Sequence, residues 1–156
     1  MAQASSMDTL RTPAARNVAG RSLDTHGPSH QAYQLLHVGF VAAPVIAGAD
    51  KFLGLLANWE RYLAPPIARM LPVGPHGFMM IVGVIEILAG LVVALKPRIG
   101  AYVVAAWLVG IIVNLLLVGG YLDIALRDFG LCLGALALGR LSTMFDPPVH
   151  VGRARG

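Results

Sequence analysis

Polar and apolar positions divide this chain into blocks instead of alternating within them. After a polar opening rich in Ser, Thr, Ala and Gly, apolar residues run through 33–57, 76–95, 99–118 and 122–141. Each run is close to the roughly 20 residues with which a helix crosses about 30 Å of hydrocarbon. The runs are apolar on every face, whereas a membrane strand alternates with a period of two. Backbone N–H and C=O groups in lipid must pair within their own segment, so these runs are expected to be helices. The expected fold is therefore all-α, an integral membrane four-helix bundle.

Punctuation between the runs agrees. Pro97, between Lys96 and Arg98, predicts a short hairpin joining the second and third helices, and Gly119-Gly120 breaks the chain before the fourth. Pro44 falls inside the first helix and should kink it. The first connection is longer and carries Trp59, Tyr62 and Leu63, which suit a short interfacial helix in the first extracytoplasmic loop. Residues 1–32 contain no apolar run of signal-peptide length and are expected to form a flexible cytoplasmic tail. Residues 33–142 form the expected transmembrane domain, and 143–156 a basic cytoplasmic tail.

Composition sharpens the picture. The 156 residues are 56% hydrophobic and only 13% charged, about half the charged share of a soluble domain. The single Cys132 excludes an intramolecular disulfide and is expected to pack as a small apolar residue. A net charge of +4 suggests nucleic acid only until the charges are placed. Arg11, Arg16, Arg21, Lys96, Arg98, Arg140, Arg153 and Arg155 fall on one side of the expected spans, against Arg61 and Arg69 on the other. Cytoplasmic flanks carry the excess of Lys and Arg, so both termini are expected to be cytoplasmic. The partner implied is a bilayer, not nucleic acid.

Asp50, Lys51, Glu86, Arg127 and Asp128 remain at or near membrane depth. A charge at the bilayer centre costs about 2.5–3.5 kcal/mol even on a lenient scale, so five of them imply compensating contacts or a function. With both ends inside, Asp50, Lys51, Arg127, Asp128 and Asn114 reach the outer half, and Glu86 lies midway along its helix. Small residues share faces with them: Gly83 and Gly90 with Glu86, Ala106 and Gly110 with Asn114, Ala43, Ala47 and Gly54 with Asp50, and Asp123, Gly130 and Gly134 with Arg127. Such residues let membrane helices approach closely. The expectation is one polar pocket beneath the outer surface, with Glu86, lacking an evident partner, as its protonated member. The structural alternative is a pair of interhelical bridges, Asp50–Arg127 and Lys51–Asp128. No catalytic residue is singled out and no metal site is expected: His26, His30, His76 and His150 show no zinc spacing, and His37 has no companion ligands. Walker, dinucleotide, Cys-x-x-Cys and serine-elbow motifs are absent from the sequence.

The segment Gly-Ala-Asp-Lys-Phe of the first run, Gly-x-x-Glu-x-x-x-Gly of the second and the Arg-Asp-bearing fourth run resemble the DoxX/DoxD-like membrane proteins over about residues 35–140. That resemblance implies a small four-helix protein of the bacterial cytoplasmic membrane, multi-pass, with Asp50, Lys51, Glu86, Arg127 and Asp128 as its polar core. Some members of that family are linked to quinone reduction or to membrane redox complexes. The chain has no haem-ligand pairs or flavin motifs, so no cofactor is intrinsic, and redox chemistry would depend on a bound quinone or a partner subunit. Three functions follow as expectations: a quinone-interacting or accessory subunit of a membrane redox complex, a non-enzymatic assembly subunit of a larger complex or homo-oligomer, and, last, a small proton-coupled permease. Whether the protein is an enzyme is left open by the sequence.

Overall fold

The computed structural model describes residues 27–146. The expected tails lie outside these residues except for 27–32 and 143–146, which belong to helix ends. Helix accounts for 86% of what is described, with no strand among those residues. The elements are α1 (Pro28–Leu53), a 3-10 turn (Trp59–Tyr62), α2 (Pro65–Met70), α3 (Pro75–Leu95), α4 (Pro97–Val118) and α5 (Leu122–Phe145). Three of them, α1, α3 and α4, are long and apolar enough to cross a membrane. The 24 residues of α5 are set apart by Asp123, Arg127, Asp128 and Arg140.

Local chemistry explains the boundaries. Pro28, Pro65, Pro75 and Pro97 each open a helix, where a missing N–H costs nothing and the fixed φ already suits the helix. At the other end, α1 stops because Gly54 adopts φ 63° and returns its N–H to the Asp50 carbonyl at 2.6 Å. Gly119, at φ 81°, closes α4 on Leu115 in the same way. The first helix thus covers 28–53, displaced towards the N-terminus from the expected 33–57, and it runs through Pro44.

The packing partners are α1 with α3 and α4 with α5, and sparser contacts from α3 to α4 and from α1 to α5 join the two pairs. Tyr33 Oη donates to Asp146 at 3.2 Å, and His37 Nε2 lies 3.0 Å from the Val93 carbonyl. The start of α1 and the ends of α3 and α5 therefore lie together, at what is called here the terminal end. Tyr33, Phe40, Val93, Ala101, Val104, Cys132, Ala135 and Leu138 form the core in that half. At the opposite, loop end the 3-10 turn touches both α3 and α4, and Leu63 and Ala64 are buried.

The small-residue faces divide into those that pack and those that do not. Gly83, Glu86 and Gly90 are buried as expected, and a Cβ on Gly83 would lie 2.7 Å from the Gly48 carbonyl oxygen. On α4, Ala106 and Gly110 are exposed, and Gly100, Ala101, Val104 and Ala105 are the packed set. On α5, Asp123, Arg127 and Gly130 are exposed, while Ala125, Asp128, Cys132, Ala135, Leu138, Gly139 and Ser142 are buried. Only Gly134 of the expected α5 face meets a neighbour, the Phe40 ring at 3.2 Å. The cause is redundancy: α5 has small residues on more than one face, so smallness alone does not select the interface.

Candidate functional site

Asp50 and Lys51 are consecutive, so their side chains leave α1 about 100° apart and serve different neighbours. The Asp50 carboxylate turns to the connection that follows. It accepts the Leu55 N–H at 2.9 Å, the Leu56 N–H at 3.0 Å and the Trp59 indole N–H at 2.8 Å. Three donors satisfy an otherwise costly buried anion and fix the turn beyond Gly54.

Lys51 faces α3. The close approach of Gly48 to Gly83 brings the Lys51 Cβ within 3.1 Å of where a Gly83 Cβ would stand. Glu86 follows Gly83 by three residues on the same helix face, and the Lys51 Nζ lies 2.5 Å from its Oε2. Both side chains are almost wholly buried, at 3% and 8% exposure. The Trp59 ring covers the pair, with the Lys51 nitrogen 3.8 Å from the ring centroid, an attraction that strengthens as water is excluded.

Asn114 does for the loop what a backbone neighbour would do. Its Oδ1 accepts the Ala64 N–H at 2.9 Å and its Nδ2 donates to the Tyr62 carbonyl. Tyr62 and Tyr121 meet edge to face at 4.9 Å. Irregular backbone at the end of a helix bundle is thereby paired by a side chain projecting from α4.

Both expectations are corrected. The bridges of the structural alternative, Asp50–Arg127 and Lys51–Asp128, do not form, and in the expected pocket Glu86 has a partner, Lys51. Arg127 lies 3.1 Å from Asp128, its own neighbour in sequence, with 66% of its side chain exposed, while Asp128 is buried. Lys51 and Glu86 are brought together, and Asp50 is linked to them only through Trp59; Asn114 holds the same loop, and Arg127 with Asp128 forms a separate pair on α5. Adjacent residues on one helix satisfy each other more cheaply than partners on α1 could. Sequence reasoning missed Trp59 as the common neighbour of Asp50 and Lys51; its aromatic character near the end of a span was read only as an interfacial anchor.

Above Lys51 a cleft of about 280 Å³ opens at the loop end, lined by Lys51, Trp59, Glu60, His76, Met79 and Met80 among others. His76 Nδ1 and Glu60 Oε1 meet at 3.0 Å on its rim. The arrangement offers a cationic donor at the floor and indole and thioether surface on the walls. Comparison with protein-family models, with curated proteins and with solved structures finds no match for this chain.

Proposed function

We propose that the chain is a multi-pass protein of the bacterial cytoplasmic membrane, a four-helix bundle completed by α5, that acts as a quinone-interacting accessory subunit of a membrane redox complex. The observation that carries this reading is the buried Lys51–Glu86 pair, whose lysine lines the cleft at the loop end. Intramembrane ionisable residues are rare and mark sites for ligands or protons. The resemblance of the Asp-Lys, Glu and Arg-Asp segments to DoxX/DoxD-like proteins points the same way.

Charge and packing together support one orientation. The ends of α1 and α5 meet, so four crossings return the chain to its starting side, and Lys96 and Arg98 lie at that same end. An excess of Lys and Arg supports a cytoplasmic position for this end. The cleft then faces the outer surface, with the 3-10 turn and α2 lying in the interface.

The cleft suits one ring carrying carbonyl groups. An ammonium has three N–H donors; Glu86 takes one, and the Ala47 carbonyl, at 3.5 Å, takes a second weakly. The third is available to a carbonyl oxygen that replaces part of the Trp59 contact. A bound quinone would supply the redox chemistry; Lys51 orients it, Glu86 balances the lysine charge, and Trp59 and Met79 exclude water. The test is Trp59 fluorescence in nanodiscs, in a Trp107→Phe background because the chain has two Trp. A water-soluble quinone should quench it saturably, and Lys51→Met should abolish saturation. Identical titrations with and without Lys51 would refute the reading.

A second reading is favoured by a different observation. Asp50 and Asn114 are wholly occupied with the protein's own loop, which is what an assembly subunit with a purely structural polar network would show. It expects a partner to co-purify and to lose its membrane assembly when this chain is deleted, irrespective of Lys51.

A further inference from the structure

We propose that the α3 wall of the cleft is a binding site for a soft monovalent cation, Cu(I) or Ag(I), held by the thioethers of Met79 and Met80 and by Nε2 of His76. The three residues stand at i, i+3 and i+4 of α3, a spacing that places side chains on one helix face, and all three line the same cleft. The site does not rest on the quinone reading, since its donor atoms and its measurement are different.

The histidine is already oriented as a ligand would be. Glu60 Oε1 lies 3.0 Å from His76 Nδ1; a carboxylate only accepts, so Nδ1 is the donor in this contact, and in the neutral imidazole Nε2 is the nitrogen left with a lone pair. Carboxylate–imidazole pairs of this kind set the tautomer and raise the basicity of metal-bound histidines. Glu60 comes from the 3-10 turn and His76 from the first turn of α3, so the contact also ties the two sides of the rim together.

Donor softness selects the ion. Thioether sulfur favours Cu(I) over hard divalent cations, which need carboxylate or carbonyl oxygen. No group of three His, Cys, Asp or Glu residues converges among the described residues, and the one carboxylate lining the cleft, Glu60, is engaged by His76. Methionine has three rotatable bonds and adapts readily, so Met79, now buried, and the half-buried Met80 can turn their sulfurs to a common point. Sequence reading for zinc-type ligands passes over this set because methionine is outside it.

The test uses the full chain in nanodiscs, without quinone, in a Cys132→Ala background that removes the only thiol. Titration with Ag(I), and with Cu(I) in competition with a chromogenic chelator, should give one equivalent bound. Met79→Leu with Met80→Leu, a near volume-conserving change, should weaken binding at least tenfold, and Glu60→Gln several-fold, while Zn(II) should not bind. Equal binding by wild type and the double variant would overturn the proposal. A copper-edge absorption spectrum of the wild type provides a check independent of any variant: sulfur together with nitrogen scatterers supports the site, and nitrogen or oxygen alone rejects it. Failure here leaves saturable quinone quenching intact, and the converse also holds.

Discussion

Lys51 on α1 and Glu86 on α3 meet at 2.5 Å across a seam that two glycines, Gly48 and Gly83, hold close. The pair is the one direct ionic link between different long helices among the described residues. Its burial makes it unforgiving of single changes. Removing one partner of a buried pair leaves an uncompensated charge and costs about 3–5 kcal/mol, whereas replacing both with apolar residues is often neutral. Lys51→Met and Glu86→Leu should each destabilise by that order, and the double variant should recover most of it. Reversible unfolding in mixed micelles measures all four corners of the cycle; additive losses would show that the two side chains are not coupled.

Trp59 joins two functions, an indole N–H on Asp50 and a ring face over Lys51. Trp59→Phe removes the first and keeps much of the second, so it isolates the hydrogen bond. A bond to a charged acceptor contributes about 1.5–3 kcal/mol. The expected result is faster amide exchange at Leu55 and Leu56, whose N–H groups share the Asp50 carboxylate, with α3 unaffected. Unchanged protection at both amides would mean that Asp50 holds the turn without the indole.

The side chain of Asn114 is the α4 anchor of the same loop. Asn114→Leu fills similar space but strands the Ala64 N–H and the Tyr62 carbonyl, at about 1–3 kcal/mol for each buried unpaired group. Hydrogen exchange at Ala64, the more buried of the two residues, should rise by at least tenfold. Because Trp59 lies in the same loop, that variant should also increase the accessibility of Lys51 to an amine-reactive reagent applied from the loop end.

How much of this was legible in the sequence depends on the kind of contact. Helical character was readable because apolar runs of this length have few other uses. The Gly83–Glu86–Gly90 face was readable as well, since beyond His76 in its first turn α3 has only one polar residue, Glu86, and its neighbours of small size coincide with it. The partner of Glu86 was not. Lys51 and Asp50 are adjacent, and which of them turns to α3 depends on where Gly54 ends α1 and sends the chain back. Asp50 then finds three donors within nine residues, so the distant Arg127 has nothing to pair with on α1. Arg127 was misplaced for a related reason: Gly130 and Gly134 made its face look like an interface, while Ala125, Cys132, Ala135 and Gly139 offered another equally small. Helices with small residues on two faces do not declare their packing until neighbours are in place.

The same ambiguity yields a contrast that glycine substitutions can measure. A Cβ on Gly100 would stand 2.5 Å from the Val93 backbone, and one on Gly48 would stand 2.5 Å from the Gly83 carbonyl oxygen. Neither obstacle is a flexible side-chain tip, so the helices themselves must separate. Overpacking of this sort costs about 1–3 kcal/mol. At Gly110 and Gly130 a Cβ meets nothing within 4 Å, and alanine favours a helix over glycine by up to about 1 kcal/mol. Gly48→Ala and Gly100→Ala should therefore lower the unfolding midpoint, while Gly110→Ala and Gly130→Ala leave it unchanged or raise it. Of the four, Gly130→Ala is the most discriminating, because it sits on the α5 face with Asp123 and Arg127. A loss there equal to that at Gly100 would mean that this face is covered by another protein surface, and that packing within one chain does not account for where α5 is buried.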